Sequence, residues 1–196
     1  MLYLLIITIC MAIIIVLDYY FATPLANESI FTVILAVTIA VVCEIIIDLI
    51  LAFVVRRMLP LRWFDEKRQT FIATKKEIDF YNRIKIKSWK DKVLELGALS
   101  NFKKDKIYNP TSSEYVKRYI IEANYGIGVH IACILFGFTV IFVYPLKLWL
   151  YIGFPVAFVN AVLNLLPLMI LRYNLPKLHS LYKFNVRREK KQKEVA

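Results

Sequence analysis

At 196 residues and 59% hydrophobic, with the apolar residues gathered into runs of about 20, the chain is excluded from the ordinary soluble class. A net charge of +11 would suit nucleic acid, but the Lys and Arg hug the ends of the apolar runs, so the charge reads as membrane topology and no nucleic-acid partner is expected. Cys10, Cys43 and Cys133 all sit inside apolar runs without paired or metal-ligand spacing, which argues for packing residues rather than a disulfide framework or a metal site.

In chain order, the first apolar run, about 2–22, lacks a basic leader and a small-residue cleavage site and is read as a permanent helix, with Asp18-Tyr19-Tyr20 at its interfacial end. The second, about 30–55, carries Glu44 and Asp48. These are four apart and share one helix face, and near lipid they repel unless one is protonated or a cation is close. Two readings stand: a contact to substrate or cation, or a structural pairing with Arg56, Arg57 or a basic residue of another span.

Seventeen of the 26 Lys and Arg fall within residues 56–118 and eight from Arg172 onward, leaving only Lys147 elsewhere. The positive-inside rule then places segment 58–118 and the C-terminal tail in the cytoplasm and the N-terminus outside. Within the segment, Leu59-Pro60-Leu61-Arg62-Trp63-Phe64 suits the interface, and Phe71, Ile72, Ile78 and Tyr81 among charges predict a surface amphipathic helix over 66–81. Ile84-Lys85-Ile86-Lys87 alternates like a strand. A short helix is expected to start at Trp89 and end at Gly97. Such a basic, aromatic stretch reads either as an anchor on anionic lipid head groups or as a lid for an anionic cosubstrate.

Asn109-Pro110-Thr111-Ser112-Ser113-Glu114 offers a hydroxyl cap for a helix running from Tyr115 into a third span, about 120–144. Along it Glu122, Gly126 and His130 recur every fourth residue, so they share a face, with the glycine admitting a close neighbour. The fourth span, about 148–171, bears Asn160 and Asn164, with Pro155 and Pro167 as expected kinks. The tail, 179–196, is expected to be solvated and poorly ordered from Phe184. The fold expected is an all-α membrane protein: one integral domain, four transmembrane helices, and an amphipathic cytoplasmic segment between helices 2 and 3.

Polar groups in hydrocarbon lose their water, so intramembrane His, Glu and Asn are site candidates by default. The order Trp89-Lys90-Asp91-Lys92, then Glu122 with His130 eight residues on, then Asn164 and Arg172-Tyr173-Asn174-Leu175-Pro176-Lys177-Leu178, resembles the glycosyl-4,4'-diaponeurosporenoate acyltransferase family over about residues 80–178. The resemblance implies a multi-pass enzyme of the bacterial cell membrane that moves a fatty acyl group to a hydroxyl of a membrane glycolipid, in that family a glucosylated carotenoid. No cofactor is then needed beyond an acyl thioester such as acyl-CoA. Neutral His130 suits a general base, Asn164 or Asn160 an orienting group or oxyanion donor, and Glu122 a ligand for sugar hydroxyls. Trp89, Lys90, Lys92, Arg172, Tyr173 and Asn174 suit binding of substrate or cosubstrate phosphates at the interface. Two other classes stay open: another small membrane-embedded lipid-modifying enzyme, for which no glycine-rich nucleotide fingerprint is present, and a scaffold or ion-path subunit using Glu44, Asp48, Glu122 and His130.

Overall fold

The computed structural model describes residues 2–93 and 108–195, and these are helical without a strand. Six α-helices follow in order: α1 (Leu2–Phe21), α2 (Ile30–Arg57), α3 (Lys75–Arg83), α4 (Ile86–Trp89), α5 (Ser113–Phe136) and α6 (Phe154–Val195). Three stretches are long and apolar enough to cross a membrane: Ile30–Arg57, Ser113–Val143 and Leu146–Glu194. The protein is a membrane protein. The chain divides into two compact units, one of Met1–Met58 with Val129–Leu166, the other of Leu59–Gly128 with Pro167–Ala196.

In the first unit, α1 and α2 are joined by the turn Thr23–Leu25, and Ser29 caps α2 by accepting from Thr32 N–H at 3.2 Å. The buried face of α2 runs Val33, Val37, Ala40, Glu44, while Phe31, Leu35, Ile39, Ile46 and Phe53 point outward as a lipid-facing stripe. Val33, Val37 and Ala40 pack with Ile14, Leu25, Ile152 and Val156 into one core. At about 25 cal/mol per Å² such burial stabilises against water, but inside a bilayer the drive is dispersion and close fit. Close fit is visible at Gly153, where a Cβ would sit 2.9 Å from Ile141 Cα. The third apolar stretch turns from α-helix into a 3₁₀ segment at Gly137–Val143, and the fourth opens with a π-turn at Trp149–Gly153. Tyr144 ties this corner down by donating its hydroxyl to Ala36 O at 2.5 Å, and Trp149 Nε1–H donates to Tyr144 O at 2.8 Å.

In the second unit, the first part of α5 and the later part of α6 pack around Val116, Ile120, Ile127 and Leu175, all fully buried, with Phe71 against them. Gly126 faces Leu171 of α6, whose Cδ1 would lie 2.9 Å from an added Cβ, so the close neighbour expected there is α6.

Several local expectations change. The amphipathic helix begins at Lys75, not Glu66, because Thr74 and Glu77 form a capping box: Thr74 Oγ accepts from Glu77 N–H at 3.3 Å and Glu77 Oε2 from Thr74 N–H at 2.8 Å. Phe71 and Ile72 precede it in a 3₁₀ turn and an extended residue. The strand-like 84–87 is no strand. Lys85 takes a left-handed φ of 53° that closes α3, and Ile86, fully buried, starts α4, which ends rather than starts at Trp89. A four-residue alternation without a pairing strand has no ladder to hold it. The expected stop at Gly97 lies outside the described residues.

Pro155 stands at the second position of α6, directly after the π-turn Trp149–Gly153. Pro167 and Pro176 lie within α6, which is not ended by either and continues through the tail to Val195. The tail is helical because it is clasped. Glu189 accepts from Ser113 N–H at 2.8 Å and Ser113 Oγ–H at 2.5 Å, Asn185 Nδ2 donates to Pro110 O at 2.8 Å, and Arg188 donates to Thr111 O at 2.5 Å. Ser112 supplies the α5 cap, accepting from Tyr115 N–H at 3.2 Å. Asp18, expected at the interface, is buried.

Candidate functional site

The first unit gathers five polar side chains from three helices within its apolar interior. His130 Nδ1 lies 2.8 Å from Asn164 Oδ1. Asn164 Nδ2 faces Asp48 Oδ2 at 3.1 Å, Asn160 Oδ1 at 2.9 Å and Asn160 O at 3.2 Å. Asn160 Nδ2 donates to Glu44 Oε1 and, at 3.2 Å, to Asp48 Oδ1. A continuous chain of hydrogen bonds thus joins Glu44 and Asp48 of α2 through Asn160 and Asn164 of α6 to His130 of α5.

The sequence spacing explains why the groups meet. Glu44 and Asp48 continue the buried face of α2 at four-residue intervals, and Asn160 and Asn164 do the same on α6, so two turns of one helix face two turns of the other. Close approach is made possible by Gly137. A Cβ there would stand 2.5 Å from Glu44 Oε1 and 2.9 Å from Asn160 Nδ2. Cys133, about one turn beyond His130, is buried.

Hydrogen-bond bookkeeping fixes the roles open to each amide. Three acceptors surround the Asn164 amine, which therefore turns its carbonyl toward His130, and the ring must donate from Nδ1. Nε2 is left as the lone-pair nitrogen of a neutral imidazole, the form a general base needs. Both N–H bonds of Asn160 go to carboxylates, and those of Asn164 have more acceptors than hydrogens. Neither amide has a spare donor for an oxyanion. The carboxylates meet Asn160 and Asn164.

Beside the cluster lies a partly open cleft. It is walled by α1 (Ile7, Met11, Ile14) and the facing sides of α2 and α6, and its polar lining is Glu44, Asp48 and Asn160.

The other sequence candidates fall in the second unit. Arg172 grips Glu77 with a two-pronged ion pair, Nε to Oε1 and NH2 to Oε2 both at 2.9 Å, and donates to Thr70 O at 3.2 Å. That fork, with the Thr74 backbone N–H and hydroxyl, holds the Glu77 carboxyl down to about 2 against some opposing desolvation. Tyr173 is buried edge-on to Tyr81, and its hydroxyl meets Asn82 Oδ1 at 3.3 Å, with Lys177 Nζ 4.9 Å above its ring. Asn174 is half-buried. Trp89 Nε1–H donates to Ile84 O at 3.1 Å; Lys90 is half-buried with Asp91 3.9 Å away, and Lys92 is exposed. Glu122 is half-buried on α5, about 12 Å by helix rise from His130.

Asn124 is among the polar residues that the sequence places within the third apolar run, and the Thr74 to Glu77 pair escaped the sequence reading. Asn124, fully buried, donates from Nδ2 to Phe64 O at 3.0 Å and Asp65 O at 3.2 Å, fixing the approach to α3, while Phe64 stacks 4.2 Å from Tyr125. The Thr74 to Glu77 pair was legible as a capping signature and decides where α3 starts.

The family model for glycosyl-4,4'-diaponeurosporenoate acyltransferase matches residues 60–183. The chain belongs to that family. It is therefore an acyltransferase of the membrane, in a family whose name places it in carotenoid metabolism. No curated protein and no solved structure matches the chain. Of the cluster, His130, Gly137, Asn160 and Asn164 lie inside the matched region of this acyltransferase, and Glu44 and Asp48 lie before it.

Proposed function

We propose that this acyltransferase moves a fatty acyl group from an acyl thioester to a hydroxyl of a membrane glycolipid, with His130 as general base. The observation that carries the reading is the Nδ1 hydrogen bond to Asn164, which sets the tautomer of the neutral ring so that Nε2 is its basic atom, inside the matched region of the chain. Nε2 takes the hydroxyl proton as the oxygen attacks the thioester carbonyl; the tetrahedral intermediate collapses with loss of thiolate, and His130 returns the proton to sulfur. Asn164 orients the ring, while Asn160, Asp48 and Glu44 hold Asn164. Glu122 binds acceptor hydroxyls, and Trp89, Lys90, Lys92, Arg172, Tyr173 and Asn174 serve the donor. A glucosylated carotenoid is the acceptor that the family name favours.

The membrane arrangement we infer has four spans, α1 included. Its 20 residues reach about 30 Å, the thickness of the hydrocarbon core. The Lys and Arg of segment 58–118 and of the tail lie in the cytoplasm, with that segment at the interface on anionic head groups. An ion path is disfavoured because the polar file stops: past Glu44 the same α2 face continues as Ala40, Val37 and Val33, each without exposure.

The test compares cells with and without the protein by lipid profiling, then His130→Gln and His130→Ala. The expected result is an acylated glycolipid that disappears with the protein, and a fall in transfer of about 10²–10⁴ in both variants at normal membrane insertion. A well-inserted His130→Gln with near-normal turnover would remove His130 from the mechanism.

A further inference from the structure

The cleft beside the cluster is apolar along its length and polar on one wall only. Ile7, Met11 and Ile14 of α1 face Val41 and Ile45 of α2 and Val159 and Leu163 of α6. The polar wall is Glu44, Asp48 and Asn160, and both N–H bonds of Asn160 are already taken by the two carboxylates. What that wall offers a ligand is therefore hydrogen-bond acceptors and no cation. A phosphate or any other anion would be repelled, whereas a hydroxyl would be welcomed.

One acceptor stands out. Glu44 is only 4% exposed, one of its oxygens is bound by Asn160, and among the described residues Oε2 has no hydrogen-bond partner. Buried polar atoms are satisfied in the great majority of cases, and an orphan in the wall of a partly open cleft asks what donates to it. Gly137 adds weight, since the absence of its side chain leaves room for the Glu44 carboxylate to sit where it does.

We propose that this cleft seats the acyl acceptor, a lipid whose long apolar chain lies against α1 and whose polar end donates a hydroxyl hydrogen to Glu44 Oε2. The inference rests on the acyl-transfer reading and deepens it by separating the two substrates. The acceptor takes the carboxylate-walled cleft of the first unit, and the anionic donor must bind elsewhere. A sugar head carries several hydroxyls, so one held at Glu44 leaves another for the base. It also gives α1 and α2, which precede the family match, a part in choosing the acceptor.

The test uses full-length protein in lipid nanodiscs and a dodecyl β-glucoside with a photoactivatable diazirine in its chain. Crosslinks are mapped by mass spectrometry. Labelling is expected on Met11, Ile14, Val41 and Val159, competed by dodecyl glucoside but not by its O-permethylated form. Glu44→Ala should weaken that competition by about tenfold, the scale of one buried hydrogen bond, and Met11→Trp should abolish cleft labelling by filling the space. In the transfer assay Met11→Trp should raise the acceptor KM and spare the donor KM. Labelling scattered over the lipid-facing helix surfaces, equal competition by the permethylated glucoside, or a Met11→Trp effect on the donor KM alone would overturn the assignment. Cleft labelling without acyl transfer in any background would instead overturn the acyltransfer reading, so the two failures are told apart.

Discussion

Gly137→Ala is the perturbation whose consequence can be worked most directly. The added methyl would lie 2.5 Å from Glu44 Oε1, 2.9 Å from Asn160 Nδ2 and 3.6 Å from the Glu44 carboxyl carbon. Restoring an ordinary contact asks Oε1 to retreat by roughly 0.9 Å, more than the whole ~0.5 Å range over which a hydrogen bond is good. The Glu44 to Asn160 bond is then lost or the 3₁₀ segment shifts. Overpacking a close-fitted site costs about 1–3 kcal/mol and stranding a buried polar group about 1–3 more, so a loss of about 2–6 kcal/mol is expected. In a Glu44→Ala background the clashing carboxylate is absent and only the 2.9 Å approach to Asn160 Nδ2 remains, so Gly137→Ala should cost clearly less. Unfolding midpoints of the four proteins of this cycle, titrated with SDS from mixed micelles and followed by circular dichroism, give the coupling. Equal costs of Gly137→Ala in both backgrounds would refute the reasoning, because the glycine would then matter for some reason other than Glu44.

Acid should loosen the grip of α6 on α3. The Glu77 carboxyl is held well below its ordinary value, so its contribution is complete above about pH 4.5 and fades as pH falls toward 2; thermal unfolding in detergent across pH 6 to 2 should show a loss that Glu77→Gln flattens. Single cysteines placed at exposed positions from Arg68 to Lys92 should react with an impermeant thiol reagent only from the cytoplasmic face, and one in the Thr23–Leu25 turn only from outside; the reverse pattern would overturn the proposed topology. Lys90→Ala with Lys92→Ala should raise the apparent KM for an acyl-CoA donor several-fold and leave turnover at saturation within about twofold; an unchanged donor KM would make the segment a lipid anchor instead.

What the sequence disclosed was the part of the fold written in long periods. Helix faces over four or more turns were readable: Glu44 with Asp48, Asn160 with Asn164, and the Glu122, Gly126, His130 series. Facing of one pair to another was not, because side-chain period says which residues share a stripe and nothing about which stripe meets it. Arg172 illustrates the same limit. Its charge and place at a helix end suggested a phosphate ligand, and its three hydrogen bonds to Glu77 and Thr70 arise 95 and 102 residues back along the chain. Short signals failed where a local competitor was stronger: the capping box overrode the amphipathic pattern before Lys75, and a left-handed Lys85 overrode the alternation after Ile84. The tail was misjudged for a related reason. Its charges suit solvent, but Asn185, Arg188 and Glu189 are held by partners that composition does not reveal.

That clasp carries a consequence for biogenesis. The backbone around Pro110, Thr111 and Ser113, where α5 enters its span, is latched by residues made 75 to 77 positions later. During synthesis α5 therefore has to be handed to the insertion machinery with its entrance unlatched, and the latch can close only after all of the third and fourth apolar stretches have emerged. A ribosome stalled between the end of the fourth apolar stretch and Asn185 would leave a nascent chain whose apolar stretches are all made but whose α5 entrance is unlatched, so unfinished and finished copies differ at that one corner.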